Sequence, residues 1–443
     1  MSGSMTPTST REGYKTVYLG PRPVSIPKSW AVRKLGSNDV AKKIKAGGTP
    51  TAGNEDYYGG GIPFVKIEDM TDAGKFISTT KSHLTEEGLD STTTWLVPEG
   101  ALLLSMYGSY GKVAITTKEV ATNQAILGIL PSESIDRDYL YYAATMLRPY
   151  FESVVLETTQ ANLNKGIVEN APIRFPPLQE QERIGKILST VDRKVQQTES
   201  IIDRVKELKR GLMQDLLVQG INHDKYEKRY LGPQRIKVPK NWKKSRLEDV
   251  SEIITRGKQP AYVEEGGVPV LNQSCIYWDG FHPEELKRLD EEVAESWKDK
   301  YWVKEGDVLI NSTGKGTLGR ALEWTKESNT HTLDSHITRV HPDESVLDPT
   351  YFRFYLESSH GQKMLYAFCV AGSTGQIELS KTDLQTMPVL LPPIDEQKNI
   401  SEAFHRVNRK LQKEQKNKKE LQKLQRGLMQ DLLTGDVRVT SEG

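Results

Sequence analysis

Cys275 and Cys369 are the only thiols in 443 residues. Two cysteines support neither a disulfide framework nor a zinc-ligand cluster, and they point to a reducing, cytoplasmic compartment. Charge of one sign is equally scarce: 60 basic residues against 59 acidic leave a net charge of +1. A whole-molecule attraction to nucleic acid is thereby excluded, so any basic footprint has to be local. No apolar run approaches the roughly 18 residues that span a bilayer. The stretch from Met1 to Lys15 is polar and has no apolar core of the kind a secretory signal needs. The expectation is a soluble chain that makes no membrane contact. Catalytic signatures are missing too. There is no GxxxxGK[ST] phosphate loop, no HExxH and no CxxC, and the eight histidines show no metal spacing. Neither Pro-Pro pair is preceded by Asn or followed by an aromatic residue, as an amino-methyltransferase would require. No catalytic and no metal-binding residue is assigned. At 36% hydrophobic and 27% charged residues, the chain has the composition of a globular protein, and its length calls for two to four units.

What is present is a repeat. Tyr18-Leu19-Gly20-Pro21 recurs as Tyr230-Leu231-Gly232-Pro233, and Pro27-Lys28-Ser29-Trp30 as Pro239-Lys240-Asn241-Trp242. Gly61-Ile62-Pro63-Phe64-Val65 resembles Gly267-Val268-Pro269-Val270-Leu271, and Glu99-Gly100 before an apolar run matches Glu305-Gly306. Thr158-x-Gln160-x-x-Leu163-x-Lys165 matches Thr374-x-Gln376-x-x-Leu379-x-Lys381, and Pro176-Pro177 matches Pro392-Pro393. The segment RGLMQDLL stands identically at Arg210–Leu217 and Arg426–Leu433. Matches in one order at nearly one offset mean a duplicated unit with short insertions.

Each copy has two parts. The first, about 18–178 and again about 230–394, carries short β-type runs bounded by Gly, Pro, Ser and Asn. They are Ile62–Ile67, Ala101–Ser105 and Lys112–Thr116, then Val268–Leu271, Val308–Asn311 and Arg320–Trp324. Amphipathic stretches at Asp138–Leu156 and Pro349–Phe368 intervene, which makes each an α+β domain. The second part is one long helix. Over Glu180–Leu217, positions from Ile184 to Leu216 taken in steps of four and three are mostly apolar, a heptad seam. The second copy runs from Ile400 to Leu432 with a polar middle that includes Glu414 and Lys418. Packing the two helices on each other buries both seams. The alternative is two surface helices on their own domains, against which their length of about 57 Å counts. Pro-Pro starts each helix, and Gly220 and Gly435 lie just past the ends.

Gly314-Lys315-Gly316-Thr317-Leu318-Gly319 satisfies GxGxxG after an apolar run. A dinucleotide site needs a helix next, whereas Arg320–Trp324 reads as a strand, as does Val113-Ala114-Ile115 after Gly108–Lys112. A glycine-rich hairpin loop is the better reading. Its NH groups and cations suit DNA phosphates or base edges, and a turn without contacts is the alternative. Basic residues crowd at 225–246 and 406–426, nine in each. For the helix, a solvated face or a partner protein's surface accounts for them equally well.

The repeated β domain, the Pro176-Pro177-Leu178-Gln179-Glu180-Gln181 and Pro392-Pro393-Ile394-Asp395-Glu396-Gln397 junctions, the RGLMQDLL ends and the 314–320 loop resemble specificity subunits of type I restriction–modification systems. The resemblance covers about 18–435. It implies target-recognition domain 1 at 18–178, spacer helix 1 at 179–220, target-recognition domain 2 at 221–394 and spacer helix 2 at 395–435. The implied architecture is two α/β recognition domains separated by two long antiparallel coiled-coil helices, with pseudo-twofold symmetry. The implied function is non-catalytic reading of a bipartite, asymmetric site on double-stranded DNA. Two modification subunits dock on the helices, and restriction/translocase subunits join indirectly. The whole complex is then an adenine-N6 methyltransferase and an ATP-dependent endonuclease, and S-adenosylmethionine, ATP and magnesium belong to the partner subunits. On this reading Lys315, Thr317, Arg320, Gln376 and Lys381 contact DNA in the second domain. Ser109, Tyr110, Lys112, Gln160 and Lys165 do so in the first, whose loop is shorter and lacks the Arg. Arg210, Gln214, Arg426 and Gln430 would face the modification subunits. Two other classes stay open: an enzyme acting on DNA by itself, and a coiled-coil scaffold with two β-rich protein- or sugar-binding domains.

Overall fold

In the computed structural model, residues 11–19, 22–108, 110–157, 163–231, 234–371 and 377–439 are described. The chain forms two compact units, residues 1–199 with 416–443, and residues 200–415. Two long helices, α1 (Leu178–Gln219) and α2 (Ile394–Thr434), each contribute residues to both.

The first unit is built on a five-stranded sheet in the order Ala41–Ala46, Ile126–Pro131, Leu102–Ser105, Val113–Thr116, Phe76–Ile77. All neighbours are antiparallel except the last pair. Side chains alternate across a strand, yet the central run is apolar throughout because both faces are covered. Leu102 and Leu104 enter the larger core with Trp30, Tyr139 and Leu140, while Leu103 packs on the other side with Val65, Met70 and Ala114. The second unit repeats the order with Ser251–Arg256, Ile337–Pro342, Val308–Asn311 and Ala321–Glu323. There Val308 and Ile310 face one cluster and Leu309 the other. The β-type runs expected at 101–105, 112–116, 268–271, 308–311 and 320–324 are strands to within a residue or so at each end.

The amphipathic stretches do not form single helices. Each is two, Arg137–Thr145 with Arg148–Glu157, and Pro349–Glu357 with Ser359–Cys369. In the second, Ser358 leaves helical geometry, and its hydroxyl accepts from the Gly361 amide at 3.0 Å to cap the next helix. A Cβ on Gly361 would stand 1.9 Å from the Tyr355 carbonyl oxygen, so only glycine allows so sharp a fold there.

Within each unit the long helices pair antiparallel. In the first, Glu199 meets Lys418 at 2.8 Å and Asp192 meets Gln425 at 3.1 Å, while Ile184, Leu188, Leu432 and Leu433 share the core. In the second, Leu217 shares a core with Ile400 and Phe404. The polar middle of the second seam is real: Glu414 is buried beside Lys410 at 2.5 Å.

The Pro-Pro junctions turn a Glu and a Gln inward: Glu180 is buried and Glu396 partly buried. Glu180 accepts from the Trp30 indole at 2.9 Å and is gripped by Arg438 at 2.7 and 2.9 Å. Glu396 accepts from the Trp242 indole at 3.2 Å, from the Ile221 amide at 3.0 Å, and is paired with His223 at 2.7 Å. Gln181 and Gln397 are fully buried. Gln181 donates to the Pro176 carbonyl at 2.8 Å and accepts from the Asp136 amide at 2.9 Å. Gln397 donates to the Pro392 and Val346 carbonyls at 2.9 and 2.8 Å and accepts from the Asp348 amide at 2.9 Å.

Removing either glutamine side chain strands one buried amide and at least one carbonyl. Gln181→Ala and Gln397→Ala are each expected to lower unfolding free energy by about 2–4 kcal/mol. A urea titration checks this, and an unchanged midpoint in both would deny the junctions their structural role.

Candidate nucleic-acid interface

In the second unit the loop from Ser312 to Arg320 joins the antiparallel strands Val308–Asn311 and Ala321–Glu323. A strand follows the GxGxxG, so the loop closes a hairpin and does not open a dinucleotide-type helix. Gly314, Gly316 and Gly319 all have φ between +83° and +94°, a region that L side chains rarely adopt. Leu318 is buried and pins the loop to the core, which leaves Lys315 exposed at the tip. Thr317 turns inward, and its hydroxyl donates to the Thr313 carbonyl at 2.7 Å. Arg320 also folds back. It donates to the Gly316 carbonyl at 2.9 Å and the Ile276 carbonyl at 3.3 Å, and it lies 4.8 Å from the centre of the Tyr277 ring. Arg320 is thus partly engaged in bracing the loop, and the Thr317 hydroxyl proton in shaping it.

The first unit repeats the ladder with a shorter loop. Ser105 N bonds Lys112 O at 3.0 Å and Gly111 N bonds Ser105 O at 2.9 Å. The matching bonds in the second unit run from Asn311 N to Arg320 O and from Gly319 N to Asn311 O, both at 2.9 Å. Lys112 therefore holds the register position of Arg320, so a basic residue stands at both places. Half-buried, Lys112 has its ammonium pushed below the usual lysine range by loss of solvent. Tyr110 packs against the core.

A second segment joins each loop. Leu163 N bonds Met106 O at 3.2 Å and Leu379 N bonds Ser312 O at 2.8 Å. Two residues on, Lys165 and Lys381 open short helices capped by Asn164 and Ser380. Lys165 pairs with Glu169 at 3.3 Å, and Lys381 is exposed. Fold and site thus bring the loop and the helix start together in both units. Ser109, Gln160 and Gln376 lie outside the described residues. Arg210, Gln214, Arg426 and Gln430 are exposed on the long helices.

Sequence reading missed a third element beside the loop. Asn123 and Asp334 form the same bend, each side-chain oxygen accepting from the amide two residues on, Ala125 at 3.2 Å and His336 at 2.8 Å. The signal was there, in the short motifs Thr-Asn-Gln-Ala-Ile and Leu-Asp-Ser-His-Ile, which precede equivalent strands. In the second unit a pocket of about 350 Å³ opens between this bend and the loop, lined among others by Gln273, Thr313, Lys315, His336 and Glu378. Burial pushes the Cys275 and Cys369 thiols up to about 11 and about 12, so neither is a ready nucleophile. Among the described residues no group of three or more metal-ligating side chains converges, and no helix is long and apolar enough to cross a membrane.

A family model described as "Type I restriction modification DNA specificity domain" matches residues 27–207 and again 239–423. The chain is 25% identical over 425 residues to the type I restriction enzyme MjaVIII specificity subunit of Methanocaldococcus jannaschii, covering 94% of each chain. It is 27% identical to that organism's putative MjaX specificity subunit, covering 97% of each. Its fold matches that of the type I restriction–modification S subunit from M. genitalium with a TM-score of 0.54 at 14% identity, over 93% of this chain and 97% of that one.

Lys315→Ala is expected to weaken duplex binding evenly across sequences and to lower the salt slope by about one. Arg320→Ala loosens the loop as well as removing a cation, so it is expected to weaken target binding by roughly 1–3 kcal/mol and to relax the bases accepted. Anisotropy titrations over a salt series check both, and unchanged affinity in both variants removes these residues from the interface.

Proposed function

The chain belongs to the family of type I restriction–modification DNA specificity domains, and from that membership we propose that it is the DNA-reading specificity subunit of such a complex. Each unit reads one half of a bipartite, asymmetric target. The observation that carries this reading is the repeated hairpin-loop frame, held by the same backbone bonds at Ser105–Lys112 and Asn311–Arg320 but bearing different side chains. Two similar frames with different loops suit two different half-sites, because base choice lies in side chains and backbone contacts set position.

The subunit is non-catalytic on this proposal. Adenine methylation and ATP-dependent cleavage, with S-adenosylmethionine, ATP and magnesium, belong to its partners, and the complex works in the cytoplasm. Lys315, Arg320 and Lys381 in one unit, and Lys112 and Lys165 in the other, are cations on or beside the frame and the first candidates for DNA contact. The exposed faces of α1 and α2 around Arg210, Gln214, Arg426 and Gln430 dock two modification subunits. The identical RGLMQDLL segments supply two similar surfaces, which calls for two copies of one partner.

The direct test is the methylated motif found genome-wide in cells that express this chain with its modification subunit. A two-part motif that changes when the chain is exchanged supports the reading, and methylation without this chain contradicts it. Arg210→Glu and Arg426→Glu are expected to reduce assembly more than they reduce the folded fraction. Native mass spectrometry beside a melting curve checks this, and a one-to-one complex as the only active species would overturn the docking scheme.

A further inference from the structure

The pocket beside the glycine-rich loop of the second unit contains two side chains that the fold holds in fixed orientations without using all their polar atoms. His336 sits at the bend with its side chain 42% exposed. Its Nδ1 lies 3.2 Å from a carboxylate oxygen of Asp334, which is buried. A carboxylate only accepts, so Nδ1 carries the proton. Asp334 is itself held, by the Tyr262 hydroxyl at 3.0 Å and the His336 amide at 2.8 Å. Nε2 is then the atom left for the pocket, and among the described residues it has no protein partner. Gln273 lines the same pocket, and its side-chain oxygen accepts from the Thr313 hydroxyl at 3.1 Å. That bond holds the amide in place and leaves its NH₂ group and one lone pair for a ligand.

The matched positions of the first unit are apolar. The bend carries Ala125 where the second unit has His336, and both carbonyls serve the ladder, accepting from Met106 N and Ser312 N at 2.8 Å. Strand pairing aligns Val65 with Leu271, since each pairs in parallel, with Thr122 and Leu333. Two residues on stand Ile67 and Gln273. The frame is therefore stable with Ala and Ile at these places, and His336 and Gln273 are not there to hold it together.

The pocket carries charge of both signs: Glu378, paired with Arg256, on one side and Lys315 at the loop tip. Lys315 suits a phosphate at the mouth, while the polar groups of Gln273, His336 and Glu378 suit the donors and acceptors of a base edge. An acceptor nitrogen on His336 and an amide NH₂ on Gln273 lining one pocket suit an amino group next to an acceptor, as on the major-groove edge of adenine.

We propose that Gln273 and His336, oriented by Thr313 and buried Asp334, read the edge of one base pair in the half-site of the second unit. The inference rests on the DNA-reading function proposed above and adds two specificity-determining residues to it.

The test uses the full chain assembled with its modification subunits, comparing wild type, Gln273→Ala and His336→Ala. The second variant installs the residue that the first unit carries at that position. Readouts are the genome-wide methylated motif and affinity for the target, for duplexes substituted at each position, and for a scrambled duplex. In both variants one position of one half-site is expected to accept additional bases, its preference falling roughly tenfold or more, while the other half-site stays unchanged. An unchanged motif with unchanged preferences overturns the proposal. An equal loss on target and scrambled duplexes also overturns it, because that marks a phosphate contact. Should His336→Ala melt lower, His336→Gln, closer in volume, carries the same expectation. Wild-type complex that binds no duplex selectively would refute the DNA-reading function itself, a result distinct from either.

Discussion

A carboxylate turned inward at the start of each long helix, buried at Glu180 and partly buried at Glu396, is the constraint on which the rest of the architecture depends. Glu180 and Glu396 lie just past a Pro-Pro pair, where the strand has ended and the first helical turn forms. A charge taken out of water there is tolerated only if it is paired and hydrogen-bonded. The partners come from segments far apart in sequence: Trp30 and Arg438 in one unit, Trp242 and His223 in the other. Satisfying one carboxylate therefore fixes the start of one helix, the segment just past the end of the other, and an N-terminal segment of the same unit. The neighbouring glutamines tie the same point to the sheet-bearing part of each unit through Asp136 and Asp348.

The first unit consequently has to be assembled from both ends of the chain. Residues 416–439 supply the second helix and the Arg438 clamp, and Tyr14 donates to the Gly435 carbonyl at 2.6 Å. The second unit closes the same way through Tyr226 and the Gln219 carbonyl at 3.2 Å, but there the chain runs on directly from helix to strand. Gly220 and Gly435 make both closures possible. Each turns with φ near +70° to +80°, and a Cβ at Gly220 would lie 2.4 Å from the Glu396 carboxylate.

Within this frame the proposed reading surface separates what must be kept from what is free to differ. Backbone bonds define the hairpin, the bend and the capped helix start identically in the two units. The residues on them diverge: Lys112 against Arg320, Ala125 against His336, Ile67 against Gln273. A ladder of peptide groups does not depend on side chains, so such exchanges leave the geometry intact while they change the chemistry on offer.

The sequence alone determined the duplication, the strands flanking each glycine-rich loop and the two long helices with their seams. These are local properties: turn residues, apolar periodicity and repeated motifs report which face of a segment is buried. It showed the basic residues of the second loop and the polar gap at Glu414, because composition is visible without a fold. It did not show that the 138–156 and 349–368 stretches each break into two helices, since amphipathic periodicity continues across a capped break such as Ser358. Nor did it show that Lys112 shares the register of Arg320, because a two-residue difference in loop length hides the match until the ladder is paired. Only tertiary structure decided that Thr317 and Arg320 turn partly inward, that the C-terminal segment completes the first unit, and that His336 and Gln273 line one pocket. Each depends on contacts between residues distant in sequence, and periodicity names the buried face of a segment without naming what buries it.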